Sequence, residues 1–185
     1  MARVLVPLAQ GCEELEAVTI IDLLRRARIE VVTAGLGPGP VTCSRGVVLL
    51  PDTILDEVLE DEFDMVVLPG GLPGADHLQS NPRIIRMLKR MSEEGRYTAA
   101  ICAAPKVLAT AGLLEGRQAT SYPGVLESME LPTTEVLDKP VVVDDKVLTS
   151  RGPGTAMDFA LELIARLEGP AAREAVEAPL MRPSA

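Results

Sequence analysis

Three short stretches carry residues able to do covalent or proton-transfer chemistry. In TAAICAAP, Thr98 to Pro105, an apolar run stops at Cys102, and a proline follows three residues later. A cysteine between a buried strand and a helix is placed like the nucleophile of a hydrolase elbow, with its side chain presented at the strand end. The helix N-terminus beneath it would favour thiolate, and the next backbone N–H, that of Ala103, would face a developing oxyanion. The same position also suits a small buried core thiol. Spacing alone leaves both readings open.

In VVLPGGLPGADHL, Val66 to Leu78, a second apolar run breaks into turn formers. Gly70 and Gly71 permit positive φ and let a substrate approach the backbone, which makes the Gly71 N–H a second candidate oxyanion donor. A phosphate loop is not favoured, because no Gly-Lys-Ser/Thr follows. A plain tight turn is the alternative. In GCEELEA, Glu13, Glu14 and Glu16 open a helix. Complementing the helix dipole is account enough for Glu13 and Glu14. Glu16 lies nearer the same rim, where a half-buried carboxyl could hold a proton or exchange one with Cys102. Arg45 and Arg151 sit in turns, either as anion-binding groups or as ordinary surface ion pairs.

These residues need elements to position them. RVLVPL reads as a buried first strand. A helix from Glu13 to Arg26 follows, with Leu15, Val18, Ile20 or Ile21, and Leu24 as its apolar stripe. IEVVTAG is a second strand. The turn before it has no glycine, so Arg28 is expected in the left-handed region. VTCSRGVVLLPD reads as a hairpin on a sheet edge, and ILDEVL as a weak helix. DMVVL is a strand, followed by a helix from Pro82 to Glu94 capped by Asn81. YTAAIC is the strand that ends at the cysteine, and a short helix runs from Pro105 to Ala111. QATSY, VVVDD and KVLTS read as short strands. A last strand-loop-helix unit has Thr155 as cap and buries Met157, Ala160, Leu161, Ile164 and Leu167. The tail is helical as far as Pro179. Alternating strands and helices imply an α/β fold with a mainly parallel central sheet, expected as one domain over 1–185. Ligands of such sheets gather at the strands' carboxyl ends, where every break named above falls.

Composition narrows the function. Of 185 residues 47% are hydrophobic and only 2% aromatic, so the core is aliphatic. A net charge of −9 argues against nucleic acid or an anionic membrane as partner. The three cysteines, Cys12, Cys43 and Cys102, are an odd set without CxxC spacing, and His77 is the sole histidine. Neither a disulfide framework nor a zinc site is expected. No signal peptide or membrane span is legible, and the expected location is the cytoplasm.

The segments GCEELEAVTIIDLLRRA, VTCSRGVVLLPD, DMVVLPGGLPGA, AAICAAP, LTSRGPGTAMDFAL and APL, taken in this order, resemble the DJ-1/PfpI family, and within it the parkinsonism-associated deglycase branch. The resemblance implies a flavodoxin-like three-layer sandwich, a homodimer and no cofactor. It makes Cys102 the oxidisable nucleophile, Glu16 the acid beside it, and Gly71 and Ala103 the backbone donors. Gly70, Arg45, Arg151 and Tyr122 would line the substrate or anion site. Arg25, Arg26 and Cys43 would lie at the dimer interface. Implied activities are glyoxalase III-like conversion of methylglyoxal to lactate and removal of early glycation adducts, in protection against carbonyl and oxidative stress. An oxidation-sensing chaperone with Cys102 as sulfinate is the rival, and a protease or amidase comes third. Many relatives have histidine where this chain has Tyr122, so a Cys–His dyad lacks its base.

Overall fold

Arg3–Leu8 (β1) is apolar at nearly every position because both faces of its sheet are covered. The computed structural model describes residues 1–183. After β1 come Glu14–Arg26 (α1), Glu30–Gly35 (β2), the pair Val41–Thr42 (β3) and Val48–Leu49 (β4), and Thr53–Ile54 (β5). Met65–Leu68 (β6) leads to Gly74–Gln79 (α2) and Pro82–Glu93 (α3), then Tyr97–Ile101 (β7) leads to Pro105–Thr110 (α4). Gln118–Ala119 (β8), Glu135–Val136 (β9), Val141–Asp144 (β10) and Val147–Ser150 (β11) precede Ala156–Glu168 (α5) and Pro170–Glu177 (α6).

Seven strands form the central sheet in the order β10-β11-β7-β6-β1-β2-β5. All its pairings are parallel except the β10–β11 hairpin. The sequence β2-β1-β6-β7-β11 is the 2-1-3-4-5 order of a doubly wound sheet, which reverses direction between β1 and β6. On one face Val4, Val6, Leu8, Val67 and Ile101 pack against α1, α5 and α6. On the other Leu5, Val66, Leu68 and Ala100 pack against α2, α3 and α4. The fold is therefore a three-layer α/β sandwich. Among the described residues, no helix is long and apolar enough to cross a membrane.

Local signals explain the element ends. The Asn81 side chain accepts from the Arg83 N–H at 3.0 Å and starts α3 ahead of Pro82. Arg28 is left-handed with φ 61°, and the Ile29 N–H closes back on the Leu24 carbonyl.

Several expectations need correction. The buried face of α1 is Ala17, Ile20, Leu23 and Leu24, whereas Leu15 and Val18 are about half exposed. A periodic apolar stripe does not say which of two apolar faces meets the sheet. Met157 likewise faces outward, and Phe159 and Leu163 fill the interior of α5. The β3–β4 hairpin forms but stands apart from the central sheet, whose edge is β5. Only Thr53–Ile54 and one 3-10 turn over Leu55–Val58 replace the weak helix. QATSY contributes just β8, paired with β9 in a small sheet of its own. The Thr155 hydroxyl does not cap α5. It accepts from the Gly152 N–H at 3.1 Å and lies 2.7 Å from Ser150 Oγ, which folds the loop after β11.

Candidate active site

The reversal between β1 and β6 brings two loops together at the carboxyl ends of the strands: Gln10–Glu13 after β1 and Pro69–Pro73 after β6. The loop after β7 adjoins them and begins with Cys102. Its φ of 63° lies in the left-handed region, a strained position for a residue with a Cβ. Neighbours hold it there: its N–H donates to the Ser150 carbonyl at 3.0 Å, and its own carbonyl accepts from the Tyr122 N–H at 2.8 Å. The turn lifts the Cys102 side chain to the rim, where it is half-buried rather than lost in the core. The elbow geometry read from the sequence is present.

Glu16 reaches Cys102 from the first turn of α1. Glu13 starts that turn, its carboxylate accepting from the Glu16 N–H at 2.7 Å. The Glu16 side chain is completely buried. Oε2 accepts from the Gly70 N–H at 2.8 Å, while Oε1 has no hydrogen-bond partner. Burial pushes its pKa up to about 7, against smaller opposing effects of the Gly70 N–H and the Cys102 thiol. A carboxyl with a pKa near neutrality can both accept and return a proton.

Helix α4 does not deliver the expected low thiol pKa. Burial, and then the charge of Glu16, push Cys102 up to about 12. The N–H groups of Gly71 and Ala103 act the other way by pointing at the sulfur, yet they are outweighed. A full carboxylate charge beside a buried sulfur exceeds the half-charge of a six-residue helix end. Thiol and carboxyl therefore form a coupled pair whose first proton leaves near pH 7, so the pair is about half ionised at neutrality and carries one negative charge only above it.

The bare backbone of the second loop follows from crowding. A Cβ on Gly70 would lie 2.6 Å from Cys102 Cβ and 2.7 Å from Glu16 Oε2. At Gly71, with φ 88°, it would lie 2.4 Å from the Glu13 nitrogen. The Glu13 N–H in turn donates to the Gly70 carbonyl at 2.9 Å. Pro73 packs on Gly11, which gives a loop-shaping role to a residue without an evident chemical one.

The structure thus gathers Cys102, Glu16, Gly70, Gly71 and Ala103. Tyr122 joins them through its main chain; its half-exposed ring lies beside Gly152. Arg151 is adjacent but paired with Asp138 at 2.7 Å. Arg45 is exposed at the hairpin turn. Arg25 and Arg26 lie over two turns along α1 from Glu16, paired with Asp52 and Asp22. Cys43 is buried, its sulfur 3.5 Å from that of Cys12.

Sequence reasoning underrated Glu14. Its carboxylate does not merely serve the dipole: it accepts from Ser44 Oγ at 3.0 Å and the Arg45 N–H at 2.8 Å, so it anchors the hairpin turn to α1. Desolvation pushes its pKa up, but these bonds and others to backbone N–H groups together hold it below the usual range. Alternation of inward and outward residues in CEELE gave no sign of this, since the partner lies thirty residues away.

A sequence model described as the DJ-1/PfpI family matches residues 2–166. Protein dj-1beta of Drosophila melanogaster is 47% identical over 166 residues, 89% of either chain. Glutathione-independent glyoxalase DJR-1.2 of Caenorhabditis elegans is 37% identical over 179 residues, covering 97% of this chain and 95% of its own. The crystal structure of Drosophila melanogaster DJ-1beta superposes with a TM-score of 0.94 and 43% identity over 99% of both chains. With its fold matched along this length and its sequence from the first strand into α5, the chain belongs to the DJ-1/PfpI family.

Proposed function

We propose that this protein is a cofactor-independent cysteine enzyme that converts α-oxoaldehydes such as methylglyoxal to hydroxy acids and acts on their early adducts with protein groups. The observation that carries this reading is the pairing of Cys102, at a strained strand end, with the buried Glu16 whose Oε1 is free to take a proton. The relative named a glutathione-independent glyoxalase supports the substrate class.

The proposed steps draw on the residues gathered at this rim. As the aldehyde carbon approaches, Glu16 takes the thiol proton and the sulfur attacks. The new C–S bond is made at the expense of the carbonyl π bond, and the oxygen receives the charge beside the Gly71 and Ala103 N–H groups. Glu16 returns its proton to give the hemithioacetal. It then takes the proton from the former aldehyde carbon and delivers one to the adjacent carbon, while the hydroxyl proton passes to the neighbouring oxygen, which produces a thioester. Water cleaves the thioester, releasing lactate and the thiol. Methylglyoxal and one water thus account for all atoms of the product. Lactate formation from methylglyoxal should fall to background in Cys102→Ser, and undiminished turnover in that variant overturns the mechanism.

A second reading, an oxidation sensor, draws on the same pair: protonated Glu16 can donate to a sulfinate oxygen on Cys102 and hold oxidation at that stage. Intact mass after mild peroxide distinguishes it, with two oxygens confined to Cys102 expected and scattered oxidation of methionines contradicting it. A proteolytic role is disfavoured because Tyr122 supplies no imidazole base.

The functional unit in this proposal is a homodimer. Leu15 and Val18 of α1 and Val47, Val48 and Leu50 at the hairpin are exposed together, an apolar surface of the kind a second copy covers. Arg25 lies on the same side, lining a groove with Val18, Leu49 and Leu50. Sedimentation of the wild type against Val18→Asp tests it: a dimer that becomes a monomer is expected.

A further inference from the structure

Cys12 and Cys43 lie outside the chemistry above, and they are the closest pair of thiols among the described residues, with sulfurs 3.5 Å apart. Cys12 is wholly buried and Cys43 nearly so. The two segments run side by side. The Gly11 N–H donates to the Thr42 carbonyl and the Ser44 N–H to the Cys12 carbonyl, both at 2.8 Å. The main chains flanking the sulfurs are therefore already in register, and bond formation requires the sulfurs to close by about 1.5 Å. The segment bearing Cys43 is not built into the central sheet; it is the turn of the separate β3–β4 hairpin, so closing the gap does not disturb the central ladder. Nothing in the proposed catalysis uses either thiol.

We propose that Cys12 and Cys43 form a reversible intramolecular disulfide under oxidation, a second redox site separate from Cys102. The oxidant is a peroxide. It converts one thiol to a sulfenic acid with release of water. The neighbouring thiol then attacks that sulfur, and a second water leaves. Two electrons and two hydrogens pass from the thiol pair to one hydrogen peroxide. Cys43 is the first to react, since it alone retains some exposure, 5% against 0% for Cys12. Burial raises the pKa of both thiols, so their oxidation is slow and belongs to sustained rather than brief peroxide exposure. The bond would tie the hairpin to the loop that carries Glu13 and leads into α1. The Cys12 main chain also abuts Gly71 and Gly74, so the cross-link ends against the glycine loop of the candidate active site.

The test is peroxide treatment of native Cys102→Ala, followed by denaturation, alkylation and intact mass. A loss of two hydrogens is expected, with alkylatable thiols falling from two to none and both returning after dithiothreitol. A non-reduced tryptic digest should join peptides 4–25 and 29–45, in this variant and in the wild type. The Cys12→Ser change introduced beside Cys102→Ala should abolish the loss. Two thiols that remain alkylatable, oxygen added without cross-linking, or a covalent dimer through Cys43 would each overturn the proposal.

Discussion

Cys102, half-buried at the rim, and the buried Cys12–Cys43 pair all have raised pKa values, yet their surroundings differ in kind. Cys102 faces a carboxyl with an unpartnered oxygen and two backbone N–H groups aimed at the sulfur. Cys12 and Cys43 face each other, and the carboxylate near them, Glu14, is committed to Ser44 and the backbone of the hairpin. Burial alone raises a thiol and makes it inert. Under the proposed function, what separates a nucleophile from a core cysteine is a nearby group able to take the proton, not a depressed thiol pKa.

The sharpest way to break this comparison is to remove that group. Glu16→Gln should lower turnover of methylglyoxal by roughly 10²–10⁴-fold, the usual range for losing a positioned acid–base group. In the wild type, Cys102 alkylation should rise with pH through a midpoint near 7, as Glu16 ionises and becomes a base. Cys43 should show no such step. If the midpoint persists in Glu16→Gln, the coupled-pair reading fails.

Stability gives the next largest effect. The folded state raises the pKa of Glu16 from 4.5 to about 7, so it holds this proton more tightly than the unfolded chain. The associated stability is complete below pH 4.5 and is lost as pH rises through 7. The loss should amount to up to about 3 kcal/mol, and urea titrations at pH 5 and pH 8 should show it shrink in Glu16→Gln.

A methyl group added at the contact between loop and elbow should act more weakly. Gly70→Ala places a carbon against Cys102 and Glu16 and should cost about 1–2 kcal/mol in denaturant unfolding. It should also slow Cys102 alkylation about tenfold while leaving Cys43 as slow as before. The smallest effect belongs to Tyr122→Phe. The contact with Cys102 is made by the backbone, so alkylation should change by less than about threefold. A larger drop would make the hydroxyl a proton carrier and credit Cys102 with a second acid–base partner.

Much of this site was legible in the chain. Apolar runs that stop at Gly70 and Cys102 mark strand ends, and parallel α/β topology sends strand ends to one rim. Glu16 could be placed near that rim because it opens a helix directly after the first strand. The family segments assigned its role. Other features were not legible. Periodicity offered Leu15 and Val18 as core, because an apolar helix face looks the same whether the sheet or solvent lies beyond it. The thiol was expected to be depressed, because a helix N-terminus is visible in sequence but the depth of a sulfur is not.

The sequence by itself determined the alternation of strands and helices, the cysteine elbow and the glycines that leave it room. These depend on near neighbours along the chain, whose chemistry and spacing are written there. Only the tertiary structure decided that Glu14 holds the hairpin turn, that Cys12 meets Cys43, and that the Cys102 proton is tightly held. Each depends on contacts between segments thirty or more residues apart, and on how completely the assembled layers exclude water from the groups between them.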